Sequence, residues 1–324
     1  VVMKRQMVAS IIATAFLSLF PGCMDENEEE KNDSLPDVNF HYLFEVMFQS
    51  QRAKIQCFLH YFERLAALSN GVEGEVTFRR VVVNKEELLS ADQLAASEQA
   101  LSAFVVPDEG VIEDAGSRVL QVDFANRYLG GGVLYTGNVQ EEIRFSICPE
   151  LVASMLFMEC MDPNEAIIIS GFEQYSRYQG YGGSLCYDGD CIDSSERDKQ
   201  GNILTAICAI DAVPFTDTKG SYITQYEQIH YMRDINKAYA GFLQPYLDPD
   251  KVRAIASGNW GCGMFGGDAQ LKALLQWISA SAASCPALIY YKFDNELVKD
   301  LAEVADSIVK AKWTVGKLFQ VVVK

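Results

Sequence analysis

Residues 121–145 read QVDFANRYLGGGVLYTGNVQEEIRF, and the rest of the chain reads as a frame around them. The apolar run Val119-Leu120-Gln121-Val122 predicts a strand that delivers Asp123, Phe124, Ala125 and Asn126. Three consecutive glycines follow, Gly130, Gly131 and Gly132. Such a run loses much backbone entropy on folding and is kept where another backbone or a ligand comes very close. It also lets successive N–H groups point into one concavity, which suits a phosphate. Seven residues on stand Gln140, Glu141 and Glu142, ahead of the alternating apolar positions Ile143, Phe145 and Ile147. An acidic pair beside such a loop is no phosphate clamp. It points to chemistry on a neighbouring sugar or on a metal. The plainer alternative is an acidic first helical turn favoured by the helix dipole.

A second glycine-rich stretch, Gly258-Asn259-Trp260-Gly261-Cys262-Gly263-Met264-Phe265-Gly266-Gly267-Asp268, follows a predicted strand Val252–Ser257 and opens a predicted helix Asp268–Ala283. Strand, glycine loop and helix N-terminus together suit a diphosphate held by backbone N–H groups. The stretch is neither a P-loop nor a strict GxGxxG, and a tight turn between strand and helix is the alternative. Glu173 to Tyr181 (EQYSRYQGY) follows another predicted strand, Ala166–Ser170. Its three tyrosines, three residues apart, read as a stacking platform for a base or as a helical stripe on the core. Asp123 and Asn126 stand at a strand end, where α/β folds place binding groups, or form a turn through their own backbone.

The 324 residues suffice for one large core or one large domain with an appendage. An apolar fraction of 49% and a charged fraction of 22% are those of a globular protein. The net charge of −17 argues against direct DNA or RNA binding, which needs a basic face. Any anionic ligand must rest on local donors in a cleft rather than on long-range steering. The nine cysteines are odd in number and lack C-x-x-C spacing, which favours a reducing, intracellular setting. Cys186 and Cys191, flanking YDGD, raise the one disulfide question. His41, His60 and His230 lack ligand spacing, and no metal or cofactor is expected.

The N-terminal stretch admits two readings. Lys4 and Arg5, then an apolar run from Met7 to Phe20 and Pro21-Gly22-Cys23, imitate an export or lipoprotein signal, which would anchor the chain through Cys23. The run is too short and too broken for a membrane span. The favoured reading is an amphipathic helix stopped by Pro21-Gly22. Asp25 to Asp33 reads as an acidic linker. Residues 41–68 predict one or two helices and Glu75–Val83 a strand. Beyond them strands at Leu204–Ala212 and Ala287–Tyr291 interleave with helices at Gln140–Ile147, Glu150–Met161, Ile223–Phe242, Asn295–Ala311 and Val315–Val323. That interleaving predicts an α/β domain with a buried, parallel or mixed sheet. On the residues alone, the chain binds a nucleotide diphosphate and carries paired carboxylates.

GGG, seven residues and QEE, flanked by VDFAN and by EEIRF and PEL, resemble the signature of the poly(ADP-ribose) glycohydrolase family. The resemblance runs from about residue 7 to the C-terminus. It implies a macrodomain-like mixed sheet flanked by helices over residues 71–324, preceded by a helical segment, residues 1–70, left from a larger accessory region. It implies hydrolysis of ribose–ribose bonds of poly(ADP-ribose), releasing ADP-ribose mainly from chain ends. Such cleavage needs an acid to protonate the leaving oxygen and a base to activate water. The resemblance gives that acid–base role to Glu142 and ribose orientation to Glu141, has Asp123 support the glutamates, and has Asp123 and Asn126 contact the terminal ribose. Gln140 and the three glycines join the substrate site. Ile112 and Glu113 would recognise the adenine edge and Tyr181, with Tyr178 beside it, would stack on the ring. Asn259, Gly261, Gly263 and Phe265 would hold the diphosphate, and Phe293 lies near the ligand or in the core. Partners would be poly(ADP-ribose) and ADP-ribosylated proteins, met by a monomer without membrane attachment in nucleus or cytoplasm. Rival readings are an ADP-ribose-binding module without turnover and a metal-dependent ADP-ribosyl hydrolase.

Overall fold

The structure, a computed structural model, describes residues 1–21, 35–69, 71–216, 221–243 and 254–324. Cys23, the acidic linker and the start of the expected strand Val252–Ser257 lie outside the described residues. The strands are β1 (Val2–Lys4), β2 (Glu75–Val82), β3 (Ala103–Val105), β4 (Val119–Ala125), β5 (Glu165–Ser170), β6 (Ser176–Gln179), β7 (Cys186–Asp190), β8 (Ala206–Asp211), β9 (Ala254–Gly258) and β10 (Ala287–Tyr291). The helices are α1 (Arg5–Phe16), α2 (His41–Glu45), α3 (Gln49–Ala66), α4 (Ala91–Ala95), α5 (Gln140–Ile147), α6 (Ser221–Thr224), α7 (Gln228–Phe242), α8 (Ala269–Ala282), α9 (Leu301–Lys310) and α10 (Val315–Val322).

Eight strands form one sheet in the order β1-β2-β5-β8-β4-β9-β10-β3, and β6 and β7 form a separate antiparallel hairpin. The sheet is mixed: β1 runs antiparallel to β2, while β4, β9, β10 and β3 pair in parallel. β5 buries Ala166, Ile167, Ile168 and Ile169 in succession, the run of a strand covered on both faces. The α/β expectation holds, with the sheet on the mixed side.

The chain divides into two compact units. The first comprises Val1–Arg79, Ala125–Met161 and Ile168–Ala206; the second comprises Arg80–Phe124, Asp162–Ile167 and Ile207–Lys324. In the first, α1 is amphipathic as expected, burying Val8, Ile12 and Ala15. It stops at Phe16, before Pro21, because Ser18 turns to φ 53° and the N–H groups of Ser18 and Leu19 close on Ala15 O and Thr14 O. Phe16 packs edge-on against Phe44 and Phe62, and Phe40 against Phe58. In the second unit, α8 and β10 meet in a cluster of Ala269, Ala273, Tyr290, Val298 and Leu301.

Three expected elements differ. The segment expected as helix Glu150–Met161 is a 3₁₀ helix, Pro149–Leu156, and Met161 N bonds instead to Arg127 O. The helix expected at Ile223–Phe242 breaks between α6 and α7, where Glu227 is extended. That break lets Tyr222 and Tyr226 both reach Asp268. The helix expected at Asn295–Ala311 starts as a 3₁₀ turn, Glu296–Val298, before α9. The eight cysteines among the described residues, Cys186 and Cys191 included, are free thiols. No helix among the described residues is long and apolar enough to cross a membrane.

A buried ionic cluster fixes α1 within the first unit. Arg5 donates from Nε to Glu150 (2.6 Å) and from Nη2 to Glu173 (2.7 Å) and the Tyr175 hydroxyl (2.6 Å), while Glu173 N donates to Glu150 (2.9 Å). Burial works against the guanidinium charge, but Glu150, Tyr175 and Glu173 outweigh it and raise the Arg5 pKa. Arg5→Met is expected to lower unfolding free energy by about 3–5 kcal/mol in denaturant titration, because it strands Glu150 in the interior. The double variant Arg5→Met/Glu150→Met is expected to recover part of that loss.

Candidate active site

The first glycine stretch belongs to the first unit and wraps around two carboxylates. Glu141 and Glu142 open α5 and are both buried. Glu141 accepts from Asn126 N (2.8 Å) and Gly130 N (2.7 Å); Glu142 accepts from Gly132 N and Val139 N (2.9 Å each). The Val139 bond is also the helix cap, with Glu142 reaching back as the third helical residue. The dipole of α5 favours both negative charges. The acidic first turn therefore exists, and the carboxylates also hold the preceding loop.

The glycines leave room for this. Gly130 and Gly131 have φ of 89° and 49°. A Cβ on Gly131 would lie 2.5 Å from Glu142 Oε1 and 2.7 Å from Glu141 Oε2. One on Gly130 would strike Met155 Sδ at 2.6 Å, and one on Gly137 would meet Glu142 Cδ at 2.7 Å. The Gly130, Gly131 and Gly132 amides all donate locally, to Glu141, Tyr128 O and Glu142. The close neighbour is thus the glutamate pair at Gly131, Glu142 at Gly137, Met155 at Gly130 and the Gly137 backbone at Gly132.

Lys54 on α3, absent from the sequence-based site, lies fully buried behind this loop. Its Nζ donates to Val133 O (2.7 Å), Tyr135 O (2.9 Å) and Gly137 O (2.7 Å), with Gly132 O at 3.4 Å. Burial pushes its pKa down to about 7, against the opposing pull of Glu142. Its spacing was a usable signal: Gln51, Lys54, Cys57, Phe58 and Tyr61 share the buried stripe of α3.

The tyrosines are neither a helical stripe nor one platform. Tyr175 is buried against Tyr61, Tyr178 is half-buried on β6, and Tyr181 is 40% exposed. The Tyr181 hydroxyl accepts from Gln140 N (3.2 Å), and Gly182 N donates to Asn138 O (3.1 Å). This brings Tyr181 to the start of α5, beside Glu141 and Glu142 in the chain.

In the second unit, β9 leads through the second glycine stretch into α8. Gly261 (φ 71°) brings the loop against Ala212, and the buried Trp260 donates from Nε1 to Ile210 O (2.9 Å). Asn259 holds the loop: it donates to Lys292 O (2.7 Å) and accepts from the Tyr290 hydroxyl (3.1 Å). Gly263 has open space around it, and Phe265 is half-buried, its carbonyl accepting from Phe215 N (2.8 Å). Asp268 caps α8 by accepting from Leu271 N (2.9 Å). Burial resists its charge, but that amide and the hydroxyls of Tyr222 and Tyr226 outweigh burial and hold the carboxyl below its usual range. Phe293 is 53% exposed with φ 48°, so it is no core residue. Ile112 is buried in an apolar cluster with Ala256 and Tyr291, and Glu113 is half-buried in the same 3₁₀ turn. Asp123 is fully buried on β4.

Two family models match the chain. One, described as poly(ADP-ribose) glycohydrolase, Macro domain fold, matches residues 91–300; the other, the helical domain of the same family, matches residues 1–80. The chain is 35% identical over 393 residues to poly(ADP-ribose) glycohydrolase 1 of Arabidopsis thaliana, covering 100% of this chain and 69% of that protein. It is 33% identical over 370 residues to the probable poly(ADP-ribose) glycohydrolase 2 of the same plant, with the same coverage. A crystal structure of poly(ADP-ribose) glycohydrolase from Deinococcus radiodurans in complex with ADP-ribose aligns with a TM-score of 0.41 at 14% identity, covering 76% of this chain and 98% of that one.

Gly131→Ala is expected to lower unfolding free energy by about 1–3 kcal/mol, through left-handed strain and collision with both carboxylates. Gly263→Ala, in open space, is the control and is expected to stay within about 0.5 kcal/mol. Denaturant titration of the two variants checks this.

Proposed function

This chain belongs to the poly(ADP-ribose) glycohydrolase family, and from that membership together with the site's geometry we propose that it hydrolyses ribose–ribose O-glycosidic bonds of poly(ADP-ribose), releasing ADP-ribose mainly from chain ends. The observation that carries the reading is the glutamate pair at the start of α5, each carboxylate held by two amides of the same loop. Two adjacent carboxyls fixed at different angles serve two roles on one sugar. Glu142 donates its proton to the leaving ribose oxygen as the glycosidic bond breaks. The positive charge that develops at the anomeric carbon of the other ribose, where the water oxygen then bonds, is stabilised by the carboxylates around it. Glu142, now ionised, accepts the proton of the attacking water. Glu141 orients the ribose hydroxyls, and Asp123 and Asn126 contact the terminal ribose.

The adenosine diphosphate portion has its own groups in this reading. Tyr181, tied by its hydroxyl to Gln140 N, offers a half-open ring to the adenine, with Tyr178 next to it. Ile112 and Glu113 meet the adenine edge. Gly261, Gly263 and Phe265 line the diphosphate, while Asn259 holds that loop to the chain after β10. Gly130, Gly131 and Gly132 serve by leaving room, since their amides already donate within the loop. Residues 1–70 are kept here as a helical segment ahead of a macrodomain-like region, 71–324. The protein acts as a monomer inside the cell on poly(ADP-ribose) and ADP-ribosylated proteins, without direct nucleic-acid or membrane contact.

Glu142→Gln is expected to cut ADP-ribose release from poly(ADP-ribose) by about 10²–10⁴-fold, the range of a lost general acid. Calorimetric affinity for ADP-ribose is expected to stay within about threefold, since glutamine keeps the shape of the side chain and one of its two amide bonds. Wild-type protein that binds ADP-ribose without releasing it from polymer would make the chain a binding module instead.

A further inference from the structure

We infer that Lys54 is a positioning residue for this reaction: its ammonium gathers the carbonyl groups of residues 132–137 so that the loop presents its opposite, N–H edge to Glu142. The inference rests on the hydrolase reading above and adds to it a group that touches neither substrate nor reacting atoms.

The geometry is specific. An ammonium has three hydrogens, and three loop carbonyls, Val133 O, Tyr135 O and Gly137 O, lie within 2.9 Å of Lys54 Nζ. Carbonyl oxygens repel one another, and buried without a donor each would lose the hydrogen bond it makes to water in the unfolded chain. They converge only because a cation stands among them. On its other edge the same backbone turns N–H groups toward anions, with Gly132 N and Val139 N on Glu142. Lys54 and Glu142 thus meet different peptide units of one short loop, carbonyls on one side and N–H groups on the other. The dipoles of those units favour that arrangement over the many others open to a segment holding Gly130, Gly131, Gly132 and Gly137.

Two further contacts show that the same helices grip this loop. Tyr42 on α2 stacks on Tyr135 with ring centroids 5.1 Å apart, and Asn138 donates to the hydroxyl of Ser50 on α3 (3.2 Å). Neither brings charge. Lys54 is the cation of this grip, and Glu142 is the charged group through which it is felt. Without the ammonium, Val133, Tyr135 and Gly137 must turn their carbonyls to other donors. Gly132 N then leaves Glu142, and Gly137 no longer backs the carboxylate.

The test compares full-length wild type with Lys54→Met, which keeps the length of the stem and removes the charge. Lys54→Gln, which retains two N–H donors, takes its place should the methionine variant fail to fold. With poly(ADP-ribose) as substrate, kcat is expected to fall about 100-fold with KM within about threefold, the pattern of a displaced reacting group on an intact binding surface. Hydrogen–deuterium exchange is expected to speed up about tenfold or more over residues 130–139, with α8 and α9 unchanged. A kcat within about fivefold of wild type overturns the inference, and so does a loss of turnover matched by an equal loss of ADP-ribose binding, which reports only a damaged fold. Wild type that releases no ADP-ribose refutes the hydrolase reading instead. The exchange measurement then decides on Lys54 alone: unchanged protection over 130–139 overturns it.

Discussion

One stretch of backbone, residues 130–139, is held between charges of opposite sign. The carbonyls of Val133, Tyr135 and Gly137 face the ammonium of Lys54, and the amides of Gly130, Gly132 and Val139 face the carboxylates of Glu141 and Glu142. Glycine is needed at several points of this stretch because the carboxylates come closer to the backbone than any Cβ allows. Neither half is stable alone. A lysine buried among apolar side chains, or two buried carboxylates side by side, is unfavourable by itself. The loop gives both their hydrogen bonds. The acidic pair, the glycines and the buried lysine are therefore one constraint expressed at separate places in the chain.

The same unit repeats the strategy with Arg5. Its guanidinium is nearly out of reach of solvent, and Glu150, Glu173 and Tyr175 supply the acceptors. Arg64 adds a second cation to Glu173 at 3.0 Å. Through these bonds α1 is tied to the 3₁₀ helix that follows α5 and to the segment that leads into β6. The N-terminal helices thus bear on the segment that holds Glu141 and Glu142 in two ways: α1 through Arg5, and α2 and α3 through Tyr42, Ser50 and Lys54.

Much of this was legible because its signals are local. A run such as Ala166–Ile169 has few ways to be buried other than as a central strand. Glycines at φ above zero and glutamates in a first helical turn mark themselves by position. The boundaries of α5 were read to the residue, since Glu142 caps its own helix. What was missed depends on partners distant in sequence. The turn at Glu227 follows from Asp268, some forty residues on, drawing in Tyr222 and Tyr226. The 3₁₀ helix at Pro149–Leu156 keeps a helical spacing of apolar residues while its hydrogen bonds tighten. β1 is three residues long and exists by pairing with β2, more than seventy residues away. Lys54 lies on the buried stripe of α3, but the loop carbonyls that take its charge stand about eighty residues further on.

A chain of net charge −17 that acts on a polyanion sets an electrostatic problem, and the placement of its cations bears on it. Arg5, Lys54, Arg144, Lys237 and Lys272 are buried. Two of them stand behind glycine stretches: Lys54 behind residues 132–137, and Lys272 against the loop of 258–268. There Lys272 Nζ lies 4.9 Å from the Trp260 ring centroid, and a Cβ on Gly267 would come within 3.0 Å of its Cε. Each of these two ammonium groups faces a carboxylate in its own unit, Glu142 for Lys54 and Asp234 for Lys272. A cation behind a loop still polarises the peptide units in front of it. In residues 130–139 those dipoles end on Glu141 and Glu142, so an anionic ligand would meet them at the loop of 258–268. Fixed dipoles in a cleft act at short range and attract phosphate without making the whole surface basic. Recognition of that kind is compatible with strong overall negative charge. It also favours a ligand that fits the loops over any other polyanion, because long-range attraction contributes little to bringing either one in.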